Sequence, residues 1–167
     1  MAKMTIKGVD DYALKLSKLG NQIPVVAGKA IYGAANIVAD GIKANISALP
    51  EVDDKYNILA YKRNQKSRIS RTQKEGLKAS FGISKMQKDE GGYYNVKLGF
   101  NGYNQVKTKK YPKGQPNQLI ARVVESGSSY MNAVPFVRPA VNNSRKSALS
   151  KMQQVIDEET EKIMKGD

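Results

Sequence analysis

The stretch that decides the fold runs Val123-Val124-Glu125-Ser126-Gly127-Ser128-Ser129 and continues after a short interval with Pro135-Phe136-Val137-Arg138-Pro139-Ala140. It joins an apolar run to a long amphipathic pattern through a Gly/Ser turn. The run predicts a strand from Leu119 to Glu125, and the pattern predicts a helix from about Pro139 to Met164. Glu125 and Arg138 flank the turn, and we expect a bidentate contact between the guanidinium and the carboxylate.

Upstream of this stretch, the chain changes from helical to strand periodicity. Apolar residues recur at helical spacing over 9–19 and again from Pro24 to about Leu49. Gly20-Asn21 is a stop signal between them, so two N-terminal helices are predicted. Small residues in the second helix, Gly33 and Gly41 among them, predict close packing against a neighbour. Residues 77–83 and 93–100 alternate with period two, which predicts strands joined by a turn at 89–92.

These elements predict an α+β fold in the order ααβββα. It has two N-terminal helices, a three-stranded antiparallel sheet with long basic loops, and a long C-terminal helix packed on the sheet. A chain of 167 residues is most simply one domain, so 1–167 is taken as a single unit. The helical and period-two stripes predict one shared core, made of Leu77, Phe81, Val96, Leu98, Leu149, Met152 and Ile156.

The composition excludes several classes of activity. The chain has no cysteine and no histidine, so thiolate metal sites and Ser-His or Cys-His nucleophile pairs are impossible. It has no uninterrupted apolar run of membrane-spanning length, and we expect no membrane association. We expect no enzymatic activity, no cofactor and no metal.

Positive charge is concentrated in the middle third of the chain. The net charge is +13, and residues 55–113 carry 15 basic side chains against three acidic ones, a net +12. Much of this charge lies in two predicted loop insertions, at about 51–74 and 101–117. The candidate contacts to an acidic partner are Lys62, Arg63, Lys66, Arg68, Arg71, Lys107, Lys109 and Lys110.

Three interpretations of these basic segments remain open. With Tyr61, Tyr103 and Tyr111 nearby, they are able to contact phosphates and stack on bases. They are equally consistent with flexible solvated loops, or with disordered arms that become ordered against an acidic neighbouring subunit.

Acidic side chains offer a weaker chemical signal. Glu125 stands at the end of a predicted strand, where a structural role is favoured over catalysis. Two acidic groups are able to hold a hard cation but are more typical of solvated turns. They are Glu51 with Asp53 and Asp54, and Asp89 with Glu90.

Four motifs, taken in order, resemble the tail-completion family of long-tailed phages, which includes the minor tail protein Z of lambda. They are Leu77 with Ser80, Val96-Lys97-Leu98-Gly99, Val124-Glu125-Ser126-Gly127-Ser128, and Pro135-Phe136-Val137-Arg138-Pro139-Ala140. The chain departs from the family at Lys74 and Glu75, where the family has threonine and glycine. The structural motif residues that the resemblance identifies are Glu125, Gly127, Phe136, Arg138 and Pro139.

The resemblance implies a structural virion protein of the phage neck or tail, which completes the tail end and helps head–tail joining. It implies a homo-oligomeric ring, expected to be a hexamer. The expected partners are the head connector or stopper protein, the tail terminator and the tail tube proteins, with the genome DNA passing through the channel. The expected location is the virion, and the host cytoplasm during assembly. The alternative is a nucleic-acid-binding protein that uses the basic 55–113 segment.

Overall fold

The computed structural model describes the backbone of residues 9–165 and the side chains of Leu14 and residues 16–165. The α+β class and the long C-terminal helix predicted from the sequence are confirmed. The elements are α1 Val9–Ala48, α2 Asp54–Lys62, α3 Arg71–Ser80, β1 Phe81–Ile83, β2 Gln87–Lys88, β3 Tyr94–Asn95, β4 Leu98–Phe100, α4 Asn117–Ser126 and α5 Val137–Lys165.

The prediction of two N-terminal helices is wrong, because α1 is one helix of 40 residues with Pro24 inside it. Gly20-Asn21 does not end it. A proline in a helix removes the one hydrogen bond to the carbonyl four residues earlier, here Gly20, and often bends a helix without ending it. The side chains of residues 9–13 lie outside the described part, so the predicted first stripe is compared only from Leu14 onward. Leu14 and Leu16 are exposed.

Helices α1 and α5 form an antiparallel pair along most of the length of α5. A Cβ built on Gly41 would lie 3.5 Å from the Cβ of Ala140, and one on Gly33 would lie 3.6 Å from Cγ of Lys151. Near the other end, Lys29 pairs with Glu159. The close packing predicted from the small residues of α1 is therefore confirmed.

The prediction that the last helix packs on the sheet is wrong. Because α5 packs on α1, Ala148 faces inward while Leu149 remains 58% exposed and Ile156 38% exposed. Neither belongs to the core that was predicted for them. The helical period of the apolar residues in α5 was predicted correctly. The sequence did not show which of these residues would face α1 and which would face solvent.

Within the described residues, one helix has the length and composition of a membrane span. The stretch Leu16–Ala48 of α1 meets that test near the N-terminus, although no long run of apolar residues is uninterrupted there. Core helices of soluble proteins meet it too. In its most apolar window, 33% of this stretch is buried. Ala30, Ala39 and Ile46 are at most 1% exposed, while Ile23 and Val25 are more than half exposed.

The predicted three-stranded sheet is instead two antiparallel two-stranded pairs at the two ends of one hairpin. β1 pairs with β4 in the register Phe81 to Phe100, and β2 pairs with β3. Between them, the N–H of Ser84 donates to the carbonyl of Lys97 at 2.8 Å. The predicted turn is confirmed, since the N–H of Asp89 donates to the carbonyl of Tyr93. The first half of the predicted strand 77–83 belongs to α3.

The predicted strand over 119–125 is wrong, because these residues form most of α4. Its buried residues, including Ile120, Val123 and Val124, also fit a helical face. A short apolar run does not distinguish a buried strand from a buried helix.

The main core lies where α3, α4 and the start of α5 meet the C-terminal half of α1. Leu77, Val124 and Phe136 are among its most buried members, and Phe81 and Leu98 of the hairpin pack against it. The ring of Phe100 lies 6.0 Å from that of Phe136 in an edge arrangement.

Candidate interaction surface

The first basic segment, residues 51–74, is folded rather than a loop. Val52 bridges to the residues on either side of Ser70: its N–H donates to Ile69 at 3.0 Å, and its carbonyl accepts from Arg71 at 3.0 Å. The Asn57 amide donates to the carbonyl of Arg68 at 2.8 Å and accepts from its N–H at 3.0 Å. These hydrogen bonds join the two ends of residues 52–71, and α2 lies between those ends.

Helix α3 begins with a capping box. The Ser70 hydroxyl accepts from the N–H of Gln73, and the Gln73 side chain accepts from the N–H of Ser70 at 3.0 Å. The Gln73 amide also donates to Gln115 at 2.7 Å. The two basic segments are thus joined by a side-chain hydrogen bond, which the sequence did not indicate.

The acidic side chains of the first segment bind other groups of the same chain. Asp53 caps α2, accepting from the N–H of Lys55 at 2.9 Å, and Asp54 accepts from the hydroxyl of Thr72 at 2.5 Å. Lys74 is 8% exposed, and its ammonium donates to the carbonyl of Leu49 at 2.8 Å. The same ammonium lies 3.2 Å from Glu51. The hydrogen bond from Lys74 is the main reason that the pKa of Glu51 lies below its ordinary value.

The second basic segment, 101–117, forms a loop as predicted, and the loop is folded back on itself. The N–H of Asn104 donates to Gln115 at 2.9 Å, and the N–H of Gln115 donates to Val106 at 3.0 Å. Thr108 and Tyr111 exchange backbone hydrogen bonds at the tip. For this second segment, the mobility that a solvated loop or a disordered arm implies remains a prediction, whereas residues 52–71 are joined by hydrogen bonds.

A groove of about 830 Å³ lies between α2, this loop and α4. Its floor and walls are largely apolar, and Lys55 and Lys107 contribute positive charge. Tyr61 is 88% exposed beside it. The apolar and aromatic residues that line it are Ile58, Tyr61, Val106, Tyr111, Leu119, Ile120, Val123, Tyr130 and Met131.

The predicted basic contacts divide into two groups. Lys107 lines the groove. Lys62, Arg63 and Lys109 are exposed and stand within two residues of groove-lining positions in the sequence. Lys110 is exposed as well, with its ammonium 5.5 Å from the ring of Tyr111. These five remain available to a partner.

The other three are used within the chain. Lys66 donates to the carbonyl of Ser129, and the guanidinium of Arg68 lies 5.8 Å from the ring of Tyr56. Arg71 lies 3.4 Å from Glu51. Lys66 and Arg68 also line a second cavity of about 470 Å³.

The motif residues 125–139 form a second structural unit. The Glu125 carboxylate accepts from the N–H groups of Phe136 at 2.7 Å, Val137 at 2.8 Å and Arg138 at 3.0 Å. Glu125 therefore caps the beginning of α5 from a different helix. The predicted pair with Arg138 is confirmed, but the side-chain contact is a single one, from Nε at 3.3 Å.

The environment of Glu125 has opposing effects on its acidity. Burial raises the pKa of Glu125, while the hydrogen bonds from Val137, Phe136 and Arg138 lower it. The hydrogen bonds prevail, and the pKa lies below its ordinary value. The acid is thus held as a structural carboxylate.

The remaining motif residues shape the connection to α5. Gly127 has a φ of 75°, which favours glycine, and its N–H closes α4 on Val123 at 2.8 Å. Phe136 is 1% exposed in the core. Pro139 is in the first turn of α5, where a missing N–H costs little.

Sequence reasoning missed the groove because it missed α2 and the start of α3. Two signals were present. Asp53 precedes the first helical residue of α2, and Ser70 stands three residues before Gln73, which is the spacing of a capping box.

No family model, no curated protein and no solved structure matches this chain. Among the side chains that the structure describes, Leu14 and residues 16–165, no group of three or more acidic side chains is placed to hold a metal ion. Among these acids, Asp53 and Glu125 accept from backbone N–H groups, Asp54 from a hydroxyl, and Glu51 and Glu159 pair with lysines.

Proposed function

We propose that this protein is a structural subunit of the neck or tail of a long-tailed phage, completing the tail end and helping head–tail joining. The observation that carries the proposal is the unit formed by Glu125 and residues 136–138. Two of the four motifs on which the resemblance rests, 124–128 and 135–140, are joined by four hydrogen bonds to one carboxylate. These hydrogen bonds fix the start of α5. That is a structural role for the motif and not a catalytic one.

In this proposal the protein acts by assembly. Its subunits form a ring, with sixfold symmetry expected from the resemblance. The ring contacts the head connector or stopper protein on one side, and the tail terminator and tube on the other. It resides in the virion, having assembled in the host cytoplasm, and genome DNA passes through its channel. The exposed basic residues Lys62, Arg63 and Lys109 would serve such contacts.

The test is the mass and shape of the purified protein. We expect light scattering to give a discrete multiple of the subunit mass, and negative-stain images to contain closed rings. Particles assembled without the protein should accumulate as separate heads and tails, and adding it should restore joining. A protein that stays monomeric at every concentration and does not restore joining would contradict the proposal.

The second candidate is a nucleic-acid-binding protein, favoured by the net +12 of residues 55–113. Lys62, Arg63 and the exposed Tyr61 cluster at the end of α2, a combination suited to phosphates and a stacked base. Its test is oligonucleotide affinity measured across a salt series. A steep fall with rising salt, lost when Lys62 and Arg63 are replaced by glutamine, would favour this function.

A further inference from the structure

We propose that the groove between α2, the 101–117 loop and α4 binds a single-stranded nucleic acid, with tyrosines stacking on its bases and lysines contacting its phosphates. The inference rests on the second candidate function, because it names the site and the form of nucleic acid that this function would use. It does not depend on the assembly of a ring.

The two segments that form the walls of the groove carry positive charge and no negative charge. Residues 55–74 have seven basic side chains, residues 101–117 have four, and neither range has an acidic one. Lys55 of α2 and Lys107 of the loop line the groove, and both are exposed. Among the described lining residues, the one acid is Asp54, and its carboxylate accepts a hydrogen bond from the hydroxyl of Thr72. The groove therefore favours a polyanion.

Three tyrosines line the same groove, and they come from three different parts of the chain. Tyr61 is on α2, Tyr111 is in the 101–117 loop, and Tyr130 is in the connection between α4 and α5. Tyr61 is 88% exposed and Tyr130 is 52% exposed. Exposed aromatic rings beside positive charge are the arrangement on which unpaired bases stack, because every base offers a face to a ring.

Hydrogen bonds hold the backbone of two of these tyrosines in position. The carbonyl of Tyr130 accepts from both the N–H and the hydroxyl of Ser67, each at 2.8 Å. The N–H of Tyr111 donates to the carbonyl of Thr108 at 3.0 Å and to its hydroxyl at 3.1 Å. A ligand that stacks on these rings therefore has less chain to order when it binds.

The groove adjoins the second cavity, which gives room for a chain rather than for one small molecule. Gln65, Ser67 and Met131 line both cavities. The second cavity adds Lys66 and Arg68, and none of its described lining residues is acidic. A strand of several nucleotides fits such a path, since single-strand sites commonly span about 4–16 nucleotides.

Two other polyanions suit these cations but not the rest of the groove. The bases of a double helix are paired and stacked inside it, so they would leave the tyrosine rings unused. An acidic protein segment binds through apolar anchors that enter pockets, but Ile120 and Met131 are only 5% exposed. Tyr61, Tyr130 and Ile58 are instead more than half exposed. The side chains that the groove offers to a ligand are thus mainly tyrosines and lysines.

The experiment measures how the whole chain binds a fluorescent single strand of mixed sequence, and the same sequence as a duplex, by anisotropy across a salt series. Tyr61→Ala and Tyr111→Ala each remove one ring, and Tyr61→Phe keeps a ring at the first position. A paired variant, Lys55→Gln with Lys107→Gln, removes the two lining charges.

Matched controls make the same changes outside the groove. They are Tyr93→Ala and the pair Lys85→Gln with Lys97→Gln, all at exposed positions that do not line it. Circular dichroism melts verify that every variant is folded.

We expect the wild type to bind the single strand more tightly than the duplex. Tyr61→Ala and Tyr111→Ala should each weaken single-strand binding by about tenfold, whereas Tyr61→Phe should bind as the wild type does. The lysine pair should reduce the slope of log affinity against log salt by about 1.4, because each lost phosphate contact accounts for about 0.7 on a single strand. Both controls should keep the affinity and the slope of the wild type.

Three results overturn the proposal, and they differ in what they leave standing. If the wild type binds nucleic acid and the groove variants bind it equally well, the groove is not the site, and Lys62 and Arg63 remain as contacts of the second candidate function. A wild type that binds neither strand form contradicts that function as well, and leaves the neck function untouched. If poly-L-glutamate displaces the single strand at an equal concentration of charge, the groove takes an acidic protein segment instead.

Discussion

The carboxylate of Glu125, near the end of α4, accepts a hydrogen bond from the N–H of Phe136 at 2.7 Å, just before α5 begins. Two further N–H groups and the Nε of Arg138 bind the same carboxylate. The first turn of a helix leaves N–H groups without partners inside the helix, and here a residue eleven positions earlier supplies the acceptor. These hydrogen bonds join the residue before the Gly/Ser turn to the residues after it.

The first prediction concerns the two partners of this contact. Glu125→Ala leaves the N–H groups of Phe136 and Val137 without their acceptor, and we expect a loss of about 1–2 kcal/mol in the free energy of unfolding. Arg138→Ala should cost less, at most about 1 kcal/mol, because its side chain is 71% exposed. Urea titrations of the two variants measure both values. Equal losses would mean that the ion pair, and not the helix cap, fixes the turn.

The second prediction concerns acid. The pKa of Glu125 is lowered in the folded protein, so the carboxylate contributes stability that is fully present above its unfolded pKa of about 4.3. That stability is lost as the pH falls through the lowered folded-state pKa. The unfolding free energy of Glu125→Gln should therefore approach that of the wild type on acidification below pH about 4. A gap between the two proteins that stays constant down to pH about 2 would contradict the assignment.

The parts of the fold that the sequence predicted correctly have local causes. The stripe of α5 spans many turns, so its period is unambiguous. The turn at 89–92 contains Gly91 and Gly92 between two alternating segments. The pairing of Glu125 with Arg138 followed from their positions on either side of a turn.

The parts that were not predicted depend on tertiary contacts. The run around Ile120 to Val124 fits a strand or a helix, and only its packing beside α3 decides. The inward side of α5 is chosen by α1, so Leu149 could not be placed from its own stripe. The groove depends on hydrogen bonds between distant residues, such as Gln73 with Gln115, which no local pattern encodes.

The third prediction concerns the first basic segment. Because Val52, Ile69 and Arg71 exchange backbone hydrogen bonds and Asn57 fastens Arg68, we expect amide exchange over 52–73 to be slowed in the free protein. Hydrogen-exchange mass spectrometry on the monomer measures it. Asn57→Ala should lower protection around Arg68, while Asn143→Ala, at an exposed position of α5, serves as control. Exchange at the unfolded rate throughout 52–73 would restore the mobile-arm interpretation.

The fourth prediction separates the real core from the predicted one. Leu77 is 0% exposed and Leu149 is 58% exposed, although both are apolar and both were expected to share a core. Leu77→Ala should cost roughly 2–5 kcal/mol through lost burial and the cavity left behind. Leu149→Ala should change the unfolding free energy of the monomer by no more than about 0.5 kcal/mol. Chemical denaturation at low protein concentration tests both, and a large loss for Leu149→Ala would mean that Leu149 belongs to the core after all.

The last prediction compares two glycines in helices. A Cβ added at Gly76 in α3 would lie 2.6 Å from Cβ of Asn104 and 2.7 Å from Oδ1 of Asn117, and both asparagines are buried. The clash should outweigh the gain in helix propensity, so Gly76→Ala is expected to destabilise the protein by about 1–3 kcal/mol. At Gly20 in α1 nothing lies within 4 Å, so Gly20→Ala should stabilise by about 0.5–1 kcal/mol.

Thermal and urea unfolding of the two variants beside the wild type give the comparison. Both variants replace glycine by alanine, so the intrinsic effect of alanine on the helix is the same in each. Shifts of opposite sign in the free energy of unfolding would therefore come from the residues that surround Gly76. A stabilised Gly76→Ala variant would mean that the 101–117 loop does not rest on α3. The groove that this loop helps to form would then lose one wall.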